Sequence, residues 1–105
     1  MKLSVQDRLL LLNTLGTYAG GITTVRIVSD LMRDLGFDEA EHKALGLKQV
    51  DGGVHWDKNG SAPKDIDVGE KAISIIAEQL KKMDAAETLT MEYLPLYERF
   101  VEEEA

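Results

Sequence analysis

Apolar positions recur along this chain with two different periods. Between residues 22 and 35, Val28, Leu31, Met32 and Leu35 fall at i, i+3, i+4 and i+7, the spacing of one buried helix face. Thr23 or Thr24 is placed to cap that helix, and Gly36 to stop it. From Gly69 to Met83 the same rhythm is clearest, with Ile73, Ile76, Ala77, Leu80 and Met83 predicted to share a face. The first run, Val5 to Leu15, opens on Ser4 as N-cap with Asp7 in the first turn. Val5, Leu9 and Leu12 make its stripe, and Leu10 and Leu11 carry apolar surface around most of the cylinder. A helix apolar nearly all round is buried on more than one side. It is either central in the monomer or turned partly toward another subunit, which makes Leu10 and Leu11 candidate interface residues.

A short helix opens at Asp38-Glu39-Ala40-Glu41 and ends near Gly46. A last one is capped by Thr90, with Leu94, Tyr97 and Val101 in line and Leu96 and Phe100 beside them. Pro95 predicts a kink in it, or a later start near Leu94. Between residues 47 and 68 the period drops to two. Leu47 to Val50 and Val54 to Asp57 flank Asp51-Gly52-Gly53, which reads as a β-hairpin. Lys58 to Pro63 reads as a surface loop, and Asp65-Ile66-Asp67-Val68 as a possible third strand. The expected fold is one α+β domain over residues 1–105. It is mostly helical, with about five helices and a small antiparallel hairpin or three-stranded sheet near residues 47–68, and it ends in a frayed acidic segment at 102–105.

Length agrees: 105 residues suit one domain of ordinary size. Charge narrows the partners. Residues 1–52 carry 7 acids and 6 bases, whereas residues 53–105 carry 12 acids and 6 bases. Phosphate backbones are bound by clustered Lys and Arg, so this balance disfavours broad nucleic-acid binding. The chain has no Cys, which excludes disulfides, thiolate metal sites and thiol nucleophiles. No apolar run approaches the ~20 residues of a membrane span, and the charged start at Asp7 and Arg8 leaves no signal-peptide core. A cytoplasmic protein without membrane attachment is the expectation.

Candidate chemistry is sparse. Glu39 and His42 lie at i, i+3, a spacing that supplies two metal ligands from one helix, but no further ligand motif accompanies them; a solvated face is the simpler reading, and no metal or cofactor is expected. His55 and Asp57 share a strand face without a nucleophile near them. Asp57-Lys58-Asn59-Gly60 begins like a calcium loop but lacks the downstream oxygen ligands. Asp65, Asp67 and Glu70 gather at a helix start, where the dipole accounts for them. No catalytic residue is assigned.

The segment Gly20 to Arg26 is more suggestive. Gly21 lets a backbone approach a ligand, Thr23 and Thr24 bring hydroxyls, and Arg26 brings a charge fork at a helix start. A small anion or nucleotide is the ligand this would hold, although the Gly-Lys-Ser/Thr core of a P-loop is missing. Plain capping, with Arg26 in solvent, accounts for the same residues. Trp56, the single Trp, is either the lid of a small core or an interface anchor.

Several stretches together resemble a family of small proteins encoded by phages and prophages that has no established biochemical role. They are Asp7-Arg8-Leu9-Leu10-Leu11-Leu12, Thr23-Thr24-Val25-Arg26, Phe37-Asp38-Glu39-Ala40-Glu41-His42-Lys43-Ala44-Leu45 and Ile66-Asp67-Val68-Gly69-Glu70-Lys71-Ala72. The resemblance continues through Leu80-Lys81-Lys82-Met83-Asp84, Leu89-Thr90 and Leu96-Tyr97-Glu98-Arg99-Phe100. Pro95 and the pair Gly20-Gly21 depart from the pattern. The resemblance implies a mobile-element setting and a host-cell cytoplasm, not an activity.

Three classes of function follow. The first is a non-enzymatic accessory protein that binds a host or phage protein, including a defence component; across all three classes the apolar first helix suggests a homo-oligomer of two or more copies. The second is a small-anion or nucleotide binder using Gly21, Thr23, Thr24 and Arg26. The third, ranked last, is a hydrolase or metal-dependent enzyme built on His55 and Asp57 or on the Asp65, Asp67 and Glu70 cluster.

Overall fold

In a computed structural model, residues 1–50, 53–56 and 63–103 are described. The elements in chain order are β1 (Lys2–Leu3), α1 (Val5–Leu15), α2 (Ile22–Leu35), α3 (Glu39–Leu45), β2 (Lys48–Val50), β3 (Gly53–His55), β4 (Lys64–Asp65) and α4 (Glu70–Ala85). A closing segment winds through a 3₁₀ turn (Met91–Tyr93), a single α turn, α5 (Leu94–Tyr97), and a π turn (Glu98–Glu103). The α+β class, mostly helical with a small antiparallel hairpin, is what the hydropathy pattern led us to expect.

The core draws on both ends of the chain. Leu3, Leu11, Leu15, Leu35, Ile76, Leu80, Leu96 and Phe100 are almost completely buried and belong to one cluster. α1 packs on α2 and α4, and α4 packs on the closing π turn. Leu10 and Leu11 are thus consumed inside one chain, at 9% and 0% exposure. Of the two readings of that all-round apolar helix, the central one is the observed one. Its buried face also differs from the expected stripe: Val5, Arg8, Leu11 and Leu15 turn inward, while Leu9 and Leu12 are half-buried. Where nearly every position is apolar, periodicity has too little contrast to choose a face.

Sheet pairing decides between the hairpin and the three-stranded sheet in favour of the hairpin. β4 does not extend the hairpin; it pairs antiparallel with β1, Lys2 opposite Asp65 and Leu3 opposite Lys64. Lys48–Val50 and Gly53–His55 do form the hairpin, with Gln49 opposite Val54. The Asp51-Gly52 turn, the loop over 58–62, Asp57 and the last two residues of the acidic end lie outside the described residues.

Helix ends follow local chemistry. Ser4 and Asp7 form a reciprocal capping box, each side chain accepting from the other's backbone N–H at 3.1 Å, which satisfies two otherwise free donors. Asp38 caps α3, and Gly46, at φ +60°, ends it in the left-handed conformation glycine adopts without strain. α2 starts earlier than expected, with Gly21 as N-cap and no side-chain cap. The Thr24 hydroxyl donates backward to the Gly21 carbonyl at 3.0 Å, so neither Thr performs the capping expected of it. On α4, Gly69 is the N-cap, and the buried stripe runs through Ala72, Ile75, Ile76 and Leu80. That is a small rotation from the expected face, leaving Ile73 and Ala77 at its edge.

The closing segment departs most. Thr90 makes no capping bond, and α5 starts at Leu94 with Pro95 in its first turn, where the missing N–H costs nothing. Leu96 and Phe100 face inward, and Leu94 is 58% exposed rather than leading the buried line. Three successive windings within one segment break the 3.6-residue rule on which that line was drawn.

Candidate functional site

Four places on the molecule carry enough chemistry to be weighed. The most ordered is Arg8, an Arg on the inward face of a leucine helix with a 2% exposed side chain. Its Nε donates to the Leu35 carbonyl at 3.0 Å, and its Nη2 to the Gly36 carbonyl at 2.6 Å. These are end carbonyls of α2, which have no intrahelical partner. Its Nη1 meets Glu41 Oε2 at 2.6 Å and its Nη2 meets Oε1 at 3.3 Å, a fork-on-fork pairing. The guanidinium carbon also lies 3.9 Å above the centre of the Phe37 ring, a cation–π distance.

Lys64 on β4 reaches the same Glu41 at 3.3 Å. The hydrogen bond from Arg8 acts first on the Glu41 carboxyl, against the opposing effect of burial. The charge of Arg8 and then the contact with Lys64 add to it, and the pKa falls from 4.5 to about 2. Arg8 therefore stitches α1, the end of α2, α3 and, through Glu41, β4 into one unit. Its polar groups are engaged, which makes it a structural clamp with no face left for a ligand. The amphipathic pattern concealed it, because an Arg inside Leu-rich sequence reads as the edge of a stripe; the signal was its place three residues before Leu11.

The Gly21–Arg26 segment lies at the surface, exposed except for half-buried Thr24. Ile22 is 66% and Val25 37% accessible, and Thr23 and Arg26 lie on the surface. α2 carries no acid in its first turn and no side-chain cap. Gly21 has open space where a Cβ would stand, whereas a Cβ on Gly20 would lie 2.7 Å from the Tyr18 hydroxyl and 2.8 Å from that of Thr24. The structure thus keeps Gly21, Thr23, Thr24 and Arg26 together at one helix start, with the Thr24 proton already committed to Gly21.

Two expected interface residues do meet elsewhere. Leu10 and half-buried Trp56 line a cleft of about 380 Å³ together with Gln6, Leu9, Asn13, Val54, His55 and Glu92. Leu11 faces away from it, into the core. Asn13 Nδ2 donates to the Tyr93 hydroxyl at 3.1 Å, tying this cleft to the closing segment. His55 is exposed here, and its proposed companion Asp57 lies outside the described residues. Glu39 and His42 are both exposed on α3, and His42 sets its ring edge-on to Phe37 at 6.3 Å. Asp65 is bound by the α-amino group of Met1 at 2.8 Å, which lowers its carboxyl pKa. No group of three or more His, Asp or Glu among the described residues is arranged to hold a metal ion.

The fourth place was missed by sequence. Met91 is 91% and Leu94 58% exposed, and they line an apolar groove of about 450 Å³ with Leu89, Thr90 and Tyr97, walled by Asp84 and Glu102. The segment is pinned from behind, because Tyr93, Leu96 and Phe100 of the same windings are buried. Burial first, then the negative charges of Asp84 and Glu102, push the Tyr97 phenol above its ordinary range. The one local signal was Pro95, which starts the α turn at Leu94 and so breaks the single helical line drawn through Leu94, Tyr97 and Val101. No helix among the described residues is long and apolar enough to cross a membrane. Comparison with protein-family models, with curated proteins and with solved structures returns no match in any of the three.

Proposed function

We propose that this chain works by binding a protein partner rather than by catalysis, and that the Met91–Leu94 groove is where the partner sits. The setting implied by its resemblance is that of a phage accessory protein that occupies a host or phage protein, a host-defence component included. The observation that carries the reading is a pair of large apolar side chains held out in solvent, 91% and 58% exposed, by a segment whose opposite face is locked into the core. Apolar surface fixed in this way and rimmed by polar groups marks an interaction site more often than it marks chance exposure. Met adds adaptability, because its unbranched thioether side chain re-packs against different partners.

The test is a photocrosslinking residue at position 91 in living expression host, with one at exposed Asp30 on α2 as control. A discrete adduct from position 91 and none from position 30 is expected. Equal labelling at both positions, or none at either, overturns the reading.

A second reading has one observation in its favour. The first turn of α2 lacks both a side-chain cap and an acid, so its N–H groups and the Arg26 side chain are available to a small anion. Thermal shifts with inorganic phosphate and a nucleotide panel test it. A shift that disappears in Arg26→Ala supports it, and no shift with any member removes it.

A further inference from the structure

The charge around the Met91–Leu94 groove is as one-sided as its floor is apolar. Residues 84–104 carry seven acids against one base, Arg99. That base is occupied, its Nη1 donating to the Lys2 carbonyl at 2.7 Å on the β1 side of the molecule. Asp84 and Glu102 stand in the groove wall itself. α4 also ends there: Asp84 lies in its last turn, so the negative end of the helix dipole faces the same region. Just beyond, Glu87 holds φ +58°, a left-handed conformation that disfavours every residue with a Cβ. The turn between Asp84 and Leu89 thus carries an acid at a position where glycine would relieve the backbone.

These observations decide among occupants. A second copy of the chain would bring acid against acid. An anionic bilayer surface and a phosphate backbone are repelled for the same reason. An added β-strand needs an open sheet edge, and every residue lining the groove lies in α4, the turn after it or the closing helical windings. What remains complementary is a helix that inserts two or three apolar side chains and flanks them with cations.

Resting on the reading of this groove as a partner site, we propose that its occupant is an amphipathic helical segment of another protein, with one apolar face bordered by Lys and Arg. Leu89, Met91 and Leu94 receive the apolar face. Asp84 and Glu102 meet the flanking cations, with Tyr97 lining the same groove. Affinity comes from the apolar anchors, and orientation and salt sensitivity from the acids.

The experiment uses the full chain and a labelled synthetic helix of about 14 residues, long enough to hold helical structure, with Leu on one face and Lys on the other. Two companion probes carry Glu in place of Lys, or Ser in place of Leu. Anisotropy titrations at roughly 50 mM and roughly 300 mM salt bracket the screening of exposed charges. The Leu/Lys helix is expected to bind and to weaken several-fold at the higher salt, and the other two probes to fail. Met91→Ser, and separately Met91→Ser with Leu94→Ser, should lower its affinity about tenfold or more, a loss of ~1.4 kcal/mol. Because both side chains already lie in solvent, circular dichroism should confirm an unchanged fold. Full binding by either Ser variant, or by the Ser-faced probe, would reduce the attraction to bulk charge and overturn the inference. Equal binding of the Glu-flanked helix would discard the cationic class while leaving the groove a partner site. No binding by any probe, with the position-91 crosslink present, would likewise reject this class alone; absence of both would reject the groove itself.

Discussion

Arg8 and Met91 break the same rule in opposite directions. One is a charge placed in the core, 2% exposed; the other is an apolar side chain placed in water, 91% exposed. Around Arg8 the violation is compensated within the chain, since two end carbonyls, one carboxylate and one aromatic ring take up its donors and its charge. Around Met91 no described residue covers the side chain, which stays 91% exposed. The lesson is that a buried polar group with its hydrogen bonds complete speaks for architecture, whereas a rigidly presented apolar group speaks for something outside the molecule. If that division is right, changes at Arg8 should act on stability and changes at Met91 on binding alone.

The largest effect is expected from Arg8→Met, which fits the apolar surroundings yet strips the Leu35 and Gly36 carbonyls of their donors and leaves Glu41 to Lys64. Removing one member of a buried pair costs roughly 3–5 kcal/mol. Glu41 retains solvent contact and its Lys64 partner, so a value near the lower end is expected, ~3 kcal/mol in urea unfolding. Arg8→Lys should recover only part of it, because an ammonium cannot bond the two carbonyls and the carboxylate in one plane. A loss below ~1 kcal/mol for Arg8→Met would mean that the clamp is ornamental.

Next comes pH. Glu41 in the folded protein titrates near 2, below its ordinary 4.5. A carboxyl depressed on folding contributes stability that is fully present above the unfolded value and lost as pH falls through the folded one. The Glu41 contribution should therefore hold above pH 4.5 and fade toward about pH 2. Glu41→Gln should lower stability at neutral pH and flatten that acid limb. Unfolding curves collected across this range check it, and an acid limb unchanged by the substitution would place the pH sensitivity elsewhere.

How much of this could be seen beforehand depends on which rule each residue obeys. Ser4, Asp38 and Gly46 act through bonds to near neighbours, and they were legible. So was the face of α2, whose polar and apolar positions alternate cleanly. α1 was not, because apolar residues follow one another without a break: with Leu at positions 9 to 12, only tertiary contacts choose the inward side. Arg8 needed Leu35, Gly36 and Glu41 beside it, partners 27 to 33 residues away. The pairing of β4 with β1 is likewise non-local, joining positions 2 and 65. Of the residues named for function, Gly21, Thr23 and Arg26 lie exposed at the start of α2 and Thr24 is half-buried beside them. Leu10 and Trp56 meet in a cleft, and Leu11 belongs to the core. The Met91 groove stayed hidden because it depends on a 3₁₀, α and π succession that no single period describes.

A smaller effect sharpens the contrast in the turn between Asp84 and Leu89. The turn after α4 is closed by Glu87 N–H to the Asp84 carbonyl at 3.0 Å and Thr88 N–H to the Met83 carbonyl at 2.9 Å, a Schellman arrangement in which glycine usually occupies the left-handed position. Glu87→Gly should stabilise the protein by ~0.5–1 kcal/mol in thermal or urea unfolding. The same change removes one acid from the region facing the proposed cationic helix, so binding of the Leu/Lys probe should weaken modestly. Stability and binding would then move in opposite directions through one residue. Their moving together would show that Glu87 serves only the turn.

The smallest expected change in stability is the one that decides the comparison. Met91→Ser with Leu94→Ser removes two of the most exposed large apolar side chains, and neither takes part in the cluster that forms the core. Surface substitutions of this kind usually alter stability within about 0.5 kcal/mol. The double variant should accordingly unfold at the wild-type urea concentration, while Leu96→Ala, two positions along the same segment and 1% exposed, should cost about 2–5 kcal/mol. A large loss from the double variant would mean that Met91 and Leu94 support the closing segment from outside. The groove would then be part of the fold's own packing, and the distinction between a core that compensates its charge and a surface that awaits a partner would fall.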